Sequence, residues 1–157
     1  MDIFGQLNLN INDFKNNEEF DVSDLLSALE NDEHVNLINL TPDKIKQYRS
    51  NAIKQLQLPH NEEVKMISVL LDYMYVDEIP DIKYGSFIRW VPLKNPDNLK
   101  LTRGGIVCDI DICETGTIIR CKNFKNNFFR VKMDEAMIFK KLTDQEKVIL
   151  AALNYVS

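Results

Sequence analysis

Apolar and polar residues alternate one by one through residues 104–133, the period of a β-strand with one face buried. Ile106, Cys108, Ile110 and Ile112 fall on one side of the pattern, and Val107, Asp109 and Asp111 on the other. After the turn signal Cys113-Glu114-Thr115-Gly116, Thr117, Ile119 and Cys121 alternate with Ile118, Arg120 and Lys122. Beyond a second polar loop, Phe129, Val131 and Met133 alternate with Phe128, Arg130 and Lys132. Such patterning with turns between predicts an antiparallel meander. A hairpin about Glu114-Thr115 sets Ile110 opposite Ile119 and Cys108 opposite Cys121, facing inward, and Asp109 opposite Arg120, facing outward. A loop about Lys125 then sets Ile119 opposite Val131 and Arg120 opposite Arg130.

The flanks extend the sheet. Residues 83–93 read as its first strand, with bulk from Phe87, Ile88, Trp90 and Val91. Residues 94–103 are a polar loop, Gly104-Gly105 a loop end or bulge, and 136–142 a last short strand. Five strands with one apolar face must roll up or be covered. The expectation is a small curled antiparallel sheet closing into an SH3-like or OB-like barrel.

The helical period governs the rest. Thr41-Pro42 opens a helix, Thr as N-cap and Pro at the first position, with Ile45, Tyr48, Ala52, Ile53 and Leu56 as its stripe. A second runs over 61–75, with Val64, Ile67, Leu70, Leu71 and Met74 inward, and the turn at Leu58-Pro59-His60 makes an αα-hairpin. Thr143-Asp144-Gln145-Glu146 is a capping box before a C-terminal helix burying Val148, Ile149, Ala152, Leu153 and Val156. Ahead of all this, Leu7, Leu9 and Ile11 alternate with Asn, and Val22, Leu25, Leu26 and Leu29 mark a helix too short to stand alone. The fold class is α+β. An acidic arm with a short helix fills 1–40, the helical hairpin 41–78, and the β module with its closing helix 79–157.

Charge sharpens this division. The chain of 157 residues carries −5, but residues 1–40 hold nine acids against Lys15, a net of −8, so the remainder is +3. Residues 83–141 hold twelve bases and six acids, a net of +6. Charge blocks of this kind mark interaction tails or solubilising leaders, and both readings of the arm stay open. Leu7, Leu9 and Ile11 lack a local partner, so the arm is expected to add a strand to its own sheet or to a protein partner.

The outward face also has two readings. Arg120, Lys122, Phe128, Arg130 and Lys132, with Lys125 in the loop, combine cations with an exposed ring, which suits single-stranded nucleic acid. The other reading, which the acidic chain as a whole favours, is a plain solvated face, with Asp109 and Arg120 a weak cross-strand pair.

Signals for chemistry are sparse. Cys108, Cys113 and Cys121 lack a Cys-x-x-Cys spacing, and His34 and His60 lie far off, so buried thiols packing as small hydrophobes fit better than a metal site. Asp109 and Asp111 share a face, yet Arg120 opposite them disfavours a bound cation. Trp90 reads as core. No P-loop, dinucleotide fingerprint or nucleophile elbow occurs. The expectation is a non-enzymatic protein without cofactor. An apolar content of 45% suits a packed domain, and no run approaches the ~18 apolar residues of a membrane span. Met1-Asp2-Ile3-Phe4 lacks the basic start of a secretory signal, so an intracellular site, in a host cytoplasm or inside a virion, is expected.

One resemblance bears on origin. The run Lys83-Tyr84-Gly85-Ser86-Phe87-Ile88-Arg89-Trp90-Val91, then Leu101-Thr102-Arg103-Gly104-Gly105-Ile106-Val107, and a meander ending near Ile138-Phe139-Lys140-Lys141, resembles a small β domain recurrent in proteins of large and giant DNA viruses. It covers about residues 80–142. It implies a viral origin, in keeping with abundant Asn, Ile and Lys, and a virion-associated or protein-interaction role, and it carries no catalytic residue.

Overall fold

The computed structural model describes residues 40–156, with the side chains of 153–156 left aside. Leu7, Leu9 and Ile11, the short helix over 21–29 and the side chains of Leu153 and Val156 lie outside the described residues. The chain divides into two compact units, one spanning Lys46–Lys141 and a second whose described parts are 40–45 and 142–156.

In the larger unit, helix α1 (Pro42–Gln55, its first turn in the other unit) and helix α2 (His60–Val69) precede six strands. These are β1 (Tyr73–Val76), β2 (Phe87–Pro92), β3 (Gly105–Cys113), β4 (Gly116–Lys122), β5 (Phe128–Lys132) and β6 (Ala136–Lys141). They form one antiparallel sheet in the order β1-β6-β2-β3-β4-β5. Thr41 caps α1 as expected, its hydroxyl accepting the Lys44 amide at 3.1 Å.

The sixth strand corrects the predicted helix over 61–75. Leu70 ends α2, and Tyr73-Met74-Tyr75-Val76, rich in aromatic and β-branched bulk, pairs with β6 instead. The helix face shifts with it: Met66 and Leu70 are buried, whereas Val64 and Leu71 are exposed. On α1 the stripe holds except for Tyr48, which is exposed, while Arg49 is buried. Arg49 Nη1 donates to the carbonyls of Leu71 and Tyr73, both at 3.0 Å, and so secures the turn from α2 into β1.

The two halves of the sheet differ in burial. Strands β1, β6 and β2 are covered on both faces, which is why Met137-Ile138-Phe139 is apolar without alternation. One cluster joins Ala52, Ile53 and Leu56 of α1 and Met66 and Leu70 of α2 to Tyr73, Val91, Met137 and Phe139. The other joins Ile88, Trp90 and Ile138 to Val107, Ile119, Cys121 and Val131. Strands β3–β5 therefore bury one face and leave the other to solvent. The sheet coils enough that Phe129 of β5 meets Trp90 of β2, ring centroids 6.4 Å apart, across two intervening strands. It does not close into the expected barrel: β1 and β5 each pair on one side only among the described residues.

The predicted register holds over most of the meander, with Asp109 opposite Arg120, Ile110 opposite Ile119, Ile119 opposite Val131 and Arg120 opposite Arg130. It fails at Cys108. Val107, not Cys108, pairs with Cys121, and a bulge between Val107 and Asp109 makes Cys108 the extra residue. The bulge switches parity, so Val107 enters the core while Ile106 and Cys108 are exposed.

In the smaller unit, helix α3 (Asp144–Val156) begins with the expected capping box. The Thr143 hydroxyl accepts the Glu146 amide at 3.1 Å, and Glu146 Oε1 accepts the Thr143 amide at 2.9 Å. Ile149 and Ala152 are buried as predicted, joined by Leu150, and Val148 is half-buried.

Candidate nucleic-acid interface

The solvent face of β3–β5 is laid out by the pairing in three rows. Ile106, Lys122 and Phe128 form the first, Asp109, Arg120 and Arg130 the second, and Asp111, Ile118 and Lys132 the third. The predicted residues Arg120, Lys122, Phe128, Arg130 and Lys132 are thus brought together on one surface. Phe128 is 67% exposed, and Lys122 Nζ lies 5.8 Å from its ring centroid.

Pairing partners for these cations are few. Lys132 Nζ lies 3.9 Å from carboxylate oxygens of both Asp134 and Glu135. Arg120, Lys122, Lys125 and Arg130 have no carboxylate within ion-pair distance among the described residues. Asp109 faces Arg120 in register, but its Oδ1 accepts the Ile110 amide at 3.0 Å. Arg120 and Arg130 stand directly opposite one another, a like-charge pairing that opposes sheet formation.

Lys125 belongs to the hairpin that carries this face around to the inner side of the sheet. Asn123 Oδ1 accepts the amides of Lys125 at 3.0 Å and Asn127 at 2.9 Å, closing a tight loop. Asn126 takes φ +62°, a left-handed conformation that Asn tolerates. The loop holds Phe124 in solvent at 84% exposure, with one side against the Phe87 ring, centroids 6.0 Å apart.

Behind the hairpin lies a cleft of about 570 Å³, between this loop and the segment Thr102-Arg103-Gly104. Its walls include Trp90, Phe124 and Phe129, and its charged lining residues are Arg103 and Lys125. The far side is fixed by the backbone. Thr102 donates its amide to the Trp90 carbonyl at 2.9 Å, its hydroxyl accepts the Trp90 amide at 3.2 Å, and its carbonyl accepts Arg89 Nε at 2.8 Å. Gly104 then turns into β3 at φ +89°. Trp90 is core, as predicted, and also a cleft wall.

The alternation did not single out this cleft. The pattern places Phe129 inward, but nothing in it says that the sheet edge leaves the residue 43% exposed. The aromatic cluster Phe124, Phe128 and Phe129 around an Asn-rich turn was the available signal.

The thiols also differ from expectation. Cys108 and Cys113 are exposed, and only Cys121 packs as a buried hydrophobe. Burial, and to a lesser degree the neighbouring Cys108, push the Cys121 thiol up to about 12. No group of three or more His, Cys, Asp or Glu is arranged to hold a metal among the described residues. No helix among them is long and apolar enough to cross a membrane. No family model, curated protein or solved structure matches the chain.

Proposed function

We propose that this chain is a non-enzymatic binding module that holds single-stranded nucleic acid along the outer face of β3–β5. The observation that carries the reading is Arg120 directly opposite Arg130, neither with a carboxylate partner among the described residues. Two guanidinium groups so placed repel in isolation and are relieved by a phosphate bridging them, which Arg forks bind in bidentate fashion. Lys122 and Lys125 extend the cationic track, and the exposed Phe128 ring offers a base a stacking platform. The net charge of −5 does not oppose this, since residues 1–40 alone contribute −8 and the face belongs to the +6 segment. The resemblance to a small β domain of large DNA viruses adds a virion or infected-cell setting to the reading. The competing reading, a protein-interaction or structural role through Leu7, Leu9 and Ile11, rests on residues outside the description.

Retention of the full chain on immobilised single-stranded DNA tests the proposal. Wild type is expected to bind at low salt and elute as salt rises, and Arg120→Glu with Arg130→Glu is expected to flow through. Equal elution of the two proteins refutes it. Failure of wild type to bind at low salt refutes it as well and leaves the protein-partner reading.

A further inference from the structure

The geometry points to the cleft behind the β4–β5 hairpin as a seat for one unstacked base of a single strand whose backbone lies on the outer face. This rests on the nucleic-acid reading above and adds a second point of attachment with a different chemistry. Three aromatic rings, Trp90, Phe124 and Phe129, converge on a space of about 570 Å³, within the range of small-molecule sites. Arg103 and Lys125 are the charged residues lining it, and both are exposed and without a carboxylate partner among the described residues. A cleft with aromatic walls and two cations matches a flat ring joined to a phosphate, whereas a lipid chain lacks both ring and charge.

The placement of Lys125 supports the connection. It sits at the tip of the hairpin whose one face carries Arg120, Lys122 and Arg130 and whose other face lines the cleft. A strand crossing the hairpin tip therefore meets cations throughout. Both walls are built in advance: the Asn123 side chain fixes the hairpin, and the Thr102 bonds to β2 fix the opposite wall. A prebuilt site avoids the ordering cost that weakens binding by flexible loops. Asn127 also lines the cleft, and its residue type carries an amide donor and acceptor suited to a base edge.

The chain has one tryptophan, Trp90, and it forms a wall of the cleft, so its emission reports occupancy there and not on the outer face. The test uses the full chain with two labelled twelve-mers, oligothymidine and an abasic oligomer of the same backbone. Anisotropy reads binding, and Trp90 fluorescence reads the cleft. Both oligomers are expected to bind, with only oligothymidine quenching Trp90. Phe124→Ala, a change at an exposed ring, is expected to weaken oligothymidine roughly tenfold and to leave the abasic oligomer unchanged. Oligothymidine binding with unaltered Trp90 emission, or with full affinity for Phe124→Ala, overturns the base seat while the outer-face reading survives. Binding of neither oligomer overturns both.

Discussion

Gly104 and Gly85 offer a paired test of how the cleft wall is held. Both adopt left-handed backbone, φ +89° and φ +83°. An alanine at either position meets the same conformational penalty, about 1–2 kcal/mol. It is partly offset by about 0.4–1 kcal/mol from a less flexible unfolded chain. They differ in surroundings. A Cβ at Gly85 has no heavy atom within 4 Å, whereas one at Gly104 collides with the Ile88 carbonyl oxygen and lies 2.8 Å from Arg89 Cγ. Ile88 is fully buried in β2, which is paired on both sides, so its backbone has little room to yield. The alternative is for residue 104 to move away, which pulls on the Thr102 bonds to Trp90 at about 1 kcal/mol each. Overpacking adds about 1–3 kcal/mol. Gly85→Ala is therefore expected to cost about 1 kcal/mol and Gly104→Ala about 3–4 kcal/mol. Urea unfolding followed by Trp90 emission measures both. Values within about 0.5 kcal/mol of each other, below what these contact terms allow, refute the claim that β2 clamps the turn.

Three further outcomes follow from the same geometry. A thiol reagent under native conditions is expected to modify Cys108 and Cys113 and to reach Cys121 only on unfolding; protection of Cys108 alongside Cys121 contradicts the assigned bulge. Because the folded Cys121 thiol lies at about 12 against an ordinary 9.0, its contribution is complete below pH 9 and is lost as pH rises toward 12. Cys121→Val removes that loss, so its stability relative to wild type is expected to improve above pH 9; parallel stability–pH curves contradict this. Thr143→Ala deletes the hydroxyl half of the capping box and is expected to cost about 1 kcal/mol, with faster amide exchange in the first turn of α3. Unchanged exchange there contradicts the cap.

Much of the meander was legible because one face is wet. Along β4 and β5, Ile119 and Val131 alternate with Arg120 and Arg130, and a shift by one residue would mix the faces. The failure at Cys108 has a local cause. Ile106, Val107 and Cys108 are consecutive and all apolar, so the pattern there fits either parity and conceals a bulge. Strand β1 was hidden for a related reason: Leu70 and Met74 satisfy helical spacing, and both are buried, but in a turn and a strand. The capping signals Thr41 and Thr143 held because their bonds reach only three residues. The cleft depends on long-range coiling that brings β5 to β2, which no local pattern encodes.

The central claim is that phosphates lie on the outer face of β3–β5, and the salt dependence of oligothymidine binding tests it most directly. Four cations on this face and its hairpin tip lack carboxylate partners among the described residues: Arg120, Lys122, Lys125 and Arg130. At about 0.7 counterions per phosphate contacted on a single strand, the logarithm of affinity should fall against the logarithm of salt with a slope near −3. Arg120→Gln with Arg130→Gln should halve the slope, to about −1.4. A wild-type slope near zero, or an equal slope for both proteins, contradicts the account.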